Sequence, residues 1–309
     1  MAQITAAMVK ELRDISGAGM MDCKTALKEN DGDIEASVDW LRTKGLAKAA
    51  KKSSRVASEG LVGAYSKGNS GSVVEVNSET DFVARNEVFQ DMVSKIVELA
   101  AGVGGDFDKL KAAEFPGTSK SVEEHVTEMV GTIGENMNVR RSASLSVGEG
   151  VVASYIHNQV APGLGKIAVL VGLETTGDAD AARAFGHQIA MHIAAINPLA
   201  LCQEELSADV VDRERAVYTE QARESGKPDN IIEKMVDGRM RKFFEESVLM
   251  SQVFVVDGEN TVAKAAELAA GDIGAPVKIA GFVRYELGDG IEKKVEDFAA
   301  EVAATAAGN

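Results

Sequence analysis

Across residues 1–45 the apolar positions recur at helical spacing in three short runs. Met8, Leu12 and Ile15 form the first stripe, with Thr5 placed as its N-cap and Gly17 as its stop. The second run carries Met21, Lys24, Ala26 and Leu27. The third starts near Asp33, places Ile34, Val38 and Leu41 on one face, and reads as stopping at Gly45. Met20 and Met21 are neighbours at the entry to the second helix. Adjacent helical residues cannot both face one small core, so one of the two is expected to be exposed, where methionine suits an adaptable contact surface. Residues 46–58 read as a basic linker. From 42 to 55 the chain carries Arg42, Lys44, Lys48, Lys51, Lys52 and Arg55 and no acid; its alanines favour helix up to a break at Ser53-Ser54. Such a run is either solvated or in contact with an acidic partner.

From residue 59 the period changes and the sequence repeats. Glu59-Gly60-Leu61-Val62-Gly63-Ala64-Tyr65 returns as Glu149-Gly150-Val151-Val152-Ala153-Ser154-Tyr155. Each copy continues through a turn-rich loop into a second apolar strand, Ser72 to Asn77 and Lys166 to Leu173. A Glu-Thr pair follows each strand, Glu79-Thr80 and Glu174-Thr175, and then an amphipathic helix. The repeat predicts an α+β fold with two related subdomains, each an antiparallel hairpin backed by helices. Residues 204–246 read as an antiparallel helical hairpin turning at Ser225-Gly226-Lys227-Pro228. A strand from Val277 to Glu286, an Asp289-Gly290 turn and an alanine-rich helix close the chain. By size and spacing the first three helices resemble a ubiquitin-associated-type domain, which is marginal in isolation.

Between the strand ending at Asn77 and the helix resuming near Asn86 lies Thr80-Asp81-Phe82-Val83, read as a loop with a carboxylate beside a phenylalanine. Such an aromatic either folds onto its own core or fills a pocket on another molecule. Taken alone, packing on its own core is the simpler reading.

Composition narrows the classes. The chain has 309 residues, 45% hydrophobic and 26% charged, which fits a folded protein of two or three domains. Its net charge of −15 argues against nucleic acid as principal partner, since phosphate binding needs excess Lys and Arg. The opening residues show neither a secretory nor a transit pattern, and no apolar run reaches membrane-spanning length. Two distant cysteines, Cys23 and Cys202, read as reduced thiols, so a cytoplasmic location is expected.

The chemical motifs mostly fail. Gly163-Leu164-Gly165-Lys166 lacks the glycine and the Ser or Thr that a phosphate loop requires, having Val160 and Ile167 there. His187 and His192 are rotated by about 140° from each other on a helix, so they do not share one ion easily. No His-Glu-x-x-His, Cys-x-x-Cys or Gly-x-Ser-x-Gly occurs. Neither a cofactor, a metal nor an enzymatic activity is expected.

Ordered segments instead carry a family resemblance. Val9–Arg13, Gly17–Lys24, Glu75–Asn77, Thr80–Ala84, Gly134–Asn136, Arg140-Arg141, His187–Ala195, Ser225–Pro228, Glu233–Arg239 and Gly281–Arg284 together resemble elongation factor Ts, the guanine-nucleotide exchange factor of bacterial elongation factor Tu. The resemblance covers nearly the whole chain and departs from the family around 102–119 and 158–166. It implies a ubiquitin-associated-like domain at 1–45 and a core N-subdomain at 59–145. A core C-subdomain at 146–203 and 247–290, a hairpin at 204–246 and a C-terminal helix at 291–309 complete it. It assigns displacement of Mg²⁺ in the partner GTPase to Thr80, Asp81, Phe82 and Val83. It makes Arg13, Met20, Met21, His157, Met235 and Val236 candidate partner contacts, and it allows self-association through the hairpin. The alternative reading is a scaffold or adaptor using its three-helix domain, with Phe82 packed inside. The second copy of the repeat, Glu174-Thr175-Thr176-Gly177, has no Asp-Phe, which favours a role added to the fold.

Overall fold

The computed structural model describes residues 4–292; most of the C-terminal helix expected at 291–309 lies outside the described residues. The N-terminal domain is three helices around a small core. Thr5 Oγ1 accepts from the Met8 amide (3.3 Å), and α1 (Ala6–Ser16) ends on Gly17 in the left-handed region. After α2 (Met20–Glu29), Asp33 caps α3 (Ile34–Lys52) by accepting from the Ala36 amide at 2.9 Å. Leu12, Cys23, Ala26 and Leu27 are fully buried, with Ile34, Val38, Trp40 and Leu41 packed against them. The third helix does not stop at Gly45: it runs on through Lys52 and takes up half of the expected linker. Gly45 instead lies against Gly131 of α7 (Val122–Ile133), where the two helices cross backbone to backbone. Ala49, one turn further, is buried in the core of the next subdomain.

The repeat is written into the backbone. Strand β1 (Glu59–Lys67) pairs antiparallel with β2 (Ser70–Ser78), and β4 (Gly150–His157) with β6 (Ile167–Glu174). Gly60 stands opposite Asn77, and Gly150 opposite Glu174. Both glycines have positive φ, and a Cβ would lie 2.3 Å from the Val76 carbonyl oxygen in one copy and 2.0 Å from that of Leu173 in the other. This register equates Glu174 with Asn77. The alignment of Glu79-Thr80 with Glu174-Thr175 is therefore two residues out.

The repeat also extends further than its hairpins. β3 (Met137–Ser146) joins β2 and β7 (Lys278–Glu286) joins β6, with register shifts at Glu75/Val76 and Gly172/Leu173. Helices α5 (Glu87–Gly102) and α7 serve the first copy, α8 (Ala179–Ile196) and α11 (Val262–Ile273) the second. Both α7 and α11 end on a left-handed glycine, Gly134 and Gly274. Each is preceded by a turn closed by a buried phenylalanine, whose amide donates to a carbonyl at 2.8 Å: Phe115 to Lys120 and Phe254 to Asn260.

The two sheets, ordered β3-β2-β1-β5 and β4-β6-β7, lie face to face. Val62 and Val73 meet Val152, Ala168 and Leu170 between them. Helices α5 and α7 cover the outer face of one sheet, α8 and α11 that of the other. β2 is thereby buried on both faces, which is why its valines run consecutively instead of alternating. The loop at 158–166 crosses to the first sheet and adds β5 (Leu164–Gly165) beside β1, so Gly163–Lys166 serves in strand pairing. Between α8 and α11 the chain extrudes a hairpin of α9 (Ala208–Arg223) and α10 (Asp229–Ser247), packed through Ala222, Ile232, Val236 and Met240. The fold is α+β.

Two buried polar groups join elements distant in the chain. Glu75, fully buried on β2, accepts from Arg140 Nη1 (3.0 and 3.1 Å), Arg141 Nε (2.6 Å), Asn77 Nδ2 (3.0 Å) and the Gly288 amide (2.8 Å). Burial raises its pKa, but the hydrogen bonds from Gly288, Asn77 and Arg141 outweigh burial and hold the carboxyl below its ordinary value. Because Gly288 follows β7, this one carboxylate ties the first sheet to the end of the second.

His192 on α8 is the other buried group. Its Nδ1 accepts from the Val255 amide (3.3 Å), so Nε2 carries the proton and donates to Gln252 Oε1 (2.9 Å). Both the histidine's neighbours and its burial are structural, and burial lowers its pKa. A folded-state pKa below the unfolded value of about 6.5 means that the unfolded chain binds the proton more readily. Stability should therefore fall as pH drops below about 6.5. Urea midpoints at pH 7.5 and 5.5 should differ less for His192→Gln than for the parent; an equal difference would show that His192 does not contribute.

Candidate functional site

Thr80-Asp81-Phe82-Val83 is not an open loop. Asp81–Ala84 form one turn of helix, α4, and two sets of bonds fix it at either end. Before it, Glu135 accepts from both the Thr80 amide (2.9 Å) and Thr80 Oγ1 (2.7 Å). Glu79 in turn accepts from the Asn136 amide (2.5 Å) and from Arg55 (3.2 Å), while Asn136 Nδ2 donates to the Arg55 carbonyl (2.7 Å). Behind it, Gln90 Nε2 donates to the Ala84 carbonyl (2.9 Å), and Asn86 caps α5. Val83 and Ala84 are 5% and 2% exposed and belong to the core beneath.

Phe82 alone points the other way. It is 75% exposed, the largest exposure among the exposed large hydrophobic side chains of the described residues. The reading in which Phe82 packs inside its own subdomain is therefore corrected. A phenylalanine whose neighbours on both sides are bonded or buried has no apolar surface of its own to fold onto. Asp81, beside it, is half exposed and holds a 3.3 Å ion pair with Arg85 one turn on, a contact of small worth at such exposure. Its carboxylate is thus free to change partners at little cost. Val83, expected with these residues to act on the partner, is buried in the core beneath α4. In the second copy the strand-to-helix crossing is short, residues 175–178 against 79–86, and no turn of helix forms there.

The other candidates are distributed. Arg13 is exposed in the last turn of α1. Met20 and Met21 are 60% and 71% exposed, so both face outward where only one was expected. The core of the three-helix domain is filled by Cys23, Ala26 and Leu27 on the opposite face of α2, leaving room for neither. His157 ends β4, its Nδ1 3.1 Å from the Tyr155 hydroxyl, and Tyr155 meets His187 edge-on at 5.4 Å. Met235 is half-buried on α10. Val236, expected as a partner contact, is 4% exposed and its methyl groups pack the hairpin's own core. Val88 and Ile15 are also exposed, at 57% and 59%, although Ile15 falls in the apolar stripe read for α1. Val88 stood off the buried stripe of Phe89, Met92 and Val93, and that off-stripe position was the available signal.

A cleft of ≈ 660 Å³ separates the three-helix domain from α7, with Ile15, Trp40, Leu46, Val88 and His125 in its walls. Among the described residues no group of three His, Cys, Asp or Glu side chains is placed to hold a metal ion. No described helix is long and apolar enough to cross a membrane. The arrangement presents an exposed aromatic on a turn of helix bonded at both ends, a half-exposed carboxylate and two exposed methionines, the kinds of side chain that serve docking surfaces.

Comparison with known proteins agrees with this character. The family profile described as Elongation factor TS matches residues 79–289. The elongation factor Ts of Parvibaculum lavamentivorans is 63% identical over 308 residues, covering 100% of both chains. Those of Brucella anthropi and Bartonella henselae are 62% and 60% identical over 305 residues, covering 99% of each chain. Identity at this level along the full length, with the matching family profile, shows that the chain belongs to the elongation factor Ts family of translation elongation factors.

Proposed function

We propose that this protein is a guanine-nucleotide exchange factor that binds elongation factor Tu carrying GDP and promotes release of the nucleotide. The single observation that supports this most is Phe82, exposed on a helical turn whose backbone is fixed at both ends. Such a side chain loses little conformational entropy on docking, so more of its burial energy is available for distortion of the partner. Phe82 enters between two helices of the GTPase, and the shift displaces the elements that hold Mg²⁺ beside the phosphates. Asp81 leaves Arg85 and accepts hydrogen bonds near that site. Thr80 and Val83 do not touch the partner; they keep α4 in place. No covalent step is needed, because the factor only has to bind nucleotide-free GTPase better than loaded GTPase.

Docking across a wider surface supplies the affinity. Arg13, Met20 and Met21 grip the GTPase domain, while His157, Tyr155 and the hairpin around Met235 reach a second domain. Val236 contributes by holding the hairpin straight. Replacing Met20 and Met21 together by alanine should raise the dissociation constant by about a hundredfold or more, since each buried methionine contributes about 1.5–3 kcal/mol. Calorimetric titration measures this directly, and an unchanged constant would remove the methionines from the interface.

Linkage gives the test of the reading as a whole. The factor should bind nucleotide-free elongation factor Tu more tightly than the GDP form, and by the same ratio it should weaken GDP binding. Equal affinity for both forms would make the chain a simple binding partner and would favour the scaffold reading.

A further inference from the structure

We infer that Gly131 is a positioning residue: bare backbone at this point of α7 seats the three-helix domain at the angle from which Met20 and Met21 act together with Phe82. A glycine within a helix costs up to about 1 kcal/mol relative to alanine, and Gly131 is still helical, in the last turn of α7 before its cap at Gly134. Its neighbour explains why it is there. A Cβ on Gly131 would lie 2.8 Å from Gly45 Cα, 3.0 Å from its carbonyl oxygen and 3.1 Å from its carbonyl carbon. All three atoms are backbone, so no rotamer change relieves the contact and α3 as a whole must move.

The repeat supplies two internal comparisons. Seen from the other side of the crossing, a Cβ on Gly45 meets Gly131 Cα at 3.9 Å, which is ordinary contact. In the second copy, Gly271 stands three residues before Gly274 as Gly131 stands before Gly134, and a Cβ on Gly271 meets nothing within 4 Å. Of these three glycines only Gly131 is required by a close approach. Further contacts converge on the same crossing. Gly17, at the end of α1, lies against Thr132, and the Lys52 ammonium donates to the Gly134 carbonyl. Helix α2 with its two methionines is carried on α1 and α3 through the shared core. An angular change at Gly131 is therefore transmitted to Met20 and Met21, while α4 and Phe82, held by Glu135 and Gln90, stay in place.

This inference rests on the exchange reading for its functional arm, but Trp40 gives an independent one. Trp40 is the only tryptophan of the chain and lines the cleft between the three-helix domain and α7. The experiment compares the full-length parent with Gly131→Ala, Gly45→Ala and Gly271→Ala. Gly131→Ala should red-shift Trp40 emission and increase its quenching by acrylamide. It should also raise the factor concentration giving half-maximal GDP release by about tenfold, as overpacking of this size costs about 1–3 kcal/mol. The maximal stimulated rate should change far less, because Phe82 is untouched. Gly45→Ala and Gly271→Ala should match the parent in every readout. If Gly131→Ala does not fold, Lys52→Met, which removes the ammonium bonded to Gly134, should give the red shift in smaller measure.

The inference is overturned if Gly131→Ala leaves Trp40 emission and half-saturation unchanged, or if Gly45→Ala is equally damaging. A parent chain that does not stimulate release defeats the exchange reading instead. The Trp40 comparison then still decides whether Gly131 sets the seat of the domain.

Discussion

Phe82→Ala is expected to slow stimulated GDP release by about 30- to 150-fold while leaving the folded protein as stable as the parent. The figure follows from burying one phenylalanine at the centre of an interface, worth about 2–3 kcal/mol, with each 1.36 kcal/mol counting tenfold in rate. The absence of a stability effect follows from exposure. Phe82 is 75% exposed, and substitutions at such positions stay within about 0.5 kcal/mol. Stopped-flow release and thermal melting on the same preparation check both halves. A melting point lowered by many degrees would mean that the ring is part of the core, and an unchanged rate would mean that it does not enter the partner. Asp81→Ala should act in the same direction with smaller size, since its bond to Arg85 is surface-exposed.

Glu75→Ala is the substitution with the largest expected effect on stability. It removes the acceptor of four donor groups and leaves two guanidinium groups and the Gly288 amide without their carboxylate. Removing one partner of a buried pair costs about 3–5 kcal/mol. The lower end applies, because Arg140 and Arg141 each keep access to water. Arg141 also retains Tyr285, whose ring lies 4.2 Å from its guanidinium, and the Glu286 carbonyl at 2.9 Å. The urea midpoint should fall accordingly, and the Gly288 amide should exchange faster with solvent. Acid should reproduce part of the loss. Because folding lowers the carboxyl's pKa, its contribution is complete at neutral pH and disappears as pH falls below about 4.5 through the folded value. An unchanged midpoint for Glu75→Ala would show that the two subdomains are held together by their apolar faces alone.

The contrast between these substitutions shows what was legible in the sequence. Capped helices and paired strands were readable because Thr5, Gly17, Asp33 and the two Gly-led strands each serve local geometry. Glu75 was not readable as a tie between sheets, since its partner Gly288 lies more than two hundred residues along the chain. Gly45 was misread as a stop because what carries α3 on to Lys52, its crossing with Gly131 and the burial of Ala49, involves residues distant along the chain. The Glu-Thr pairs suggested the wrong register because the connections leading to them differ in length, and only the Gly60 and Gly150 pairings fix it. The second half of the repeat was hidden by the hairpin inserted between α8 and α11; the shared Gly-x-x-Gly of Gly131-Gly134 and Gly271-Gly274 was its remaining trace. At the site itself, Phe82 was visible as an aromatic in a polar setting. That it points outward depends on Val83 and Ala84 pointing in, and no periodicity specifies this in a single helical turn.

The most direct test of exchange is to load elongation factor Tu with a fluorescent GDP, add excess unlabelled nucleotide, and follow release with and without this protein. At micromolar factor, release should accelerate by orders of magnitude in the parent and only weakly with Phe82→Ala. Release at the spontaneous rate with the folded parent chain present would contradict the account.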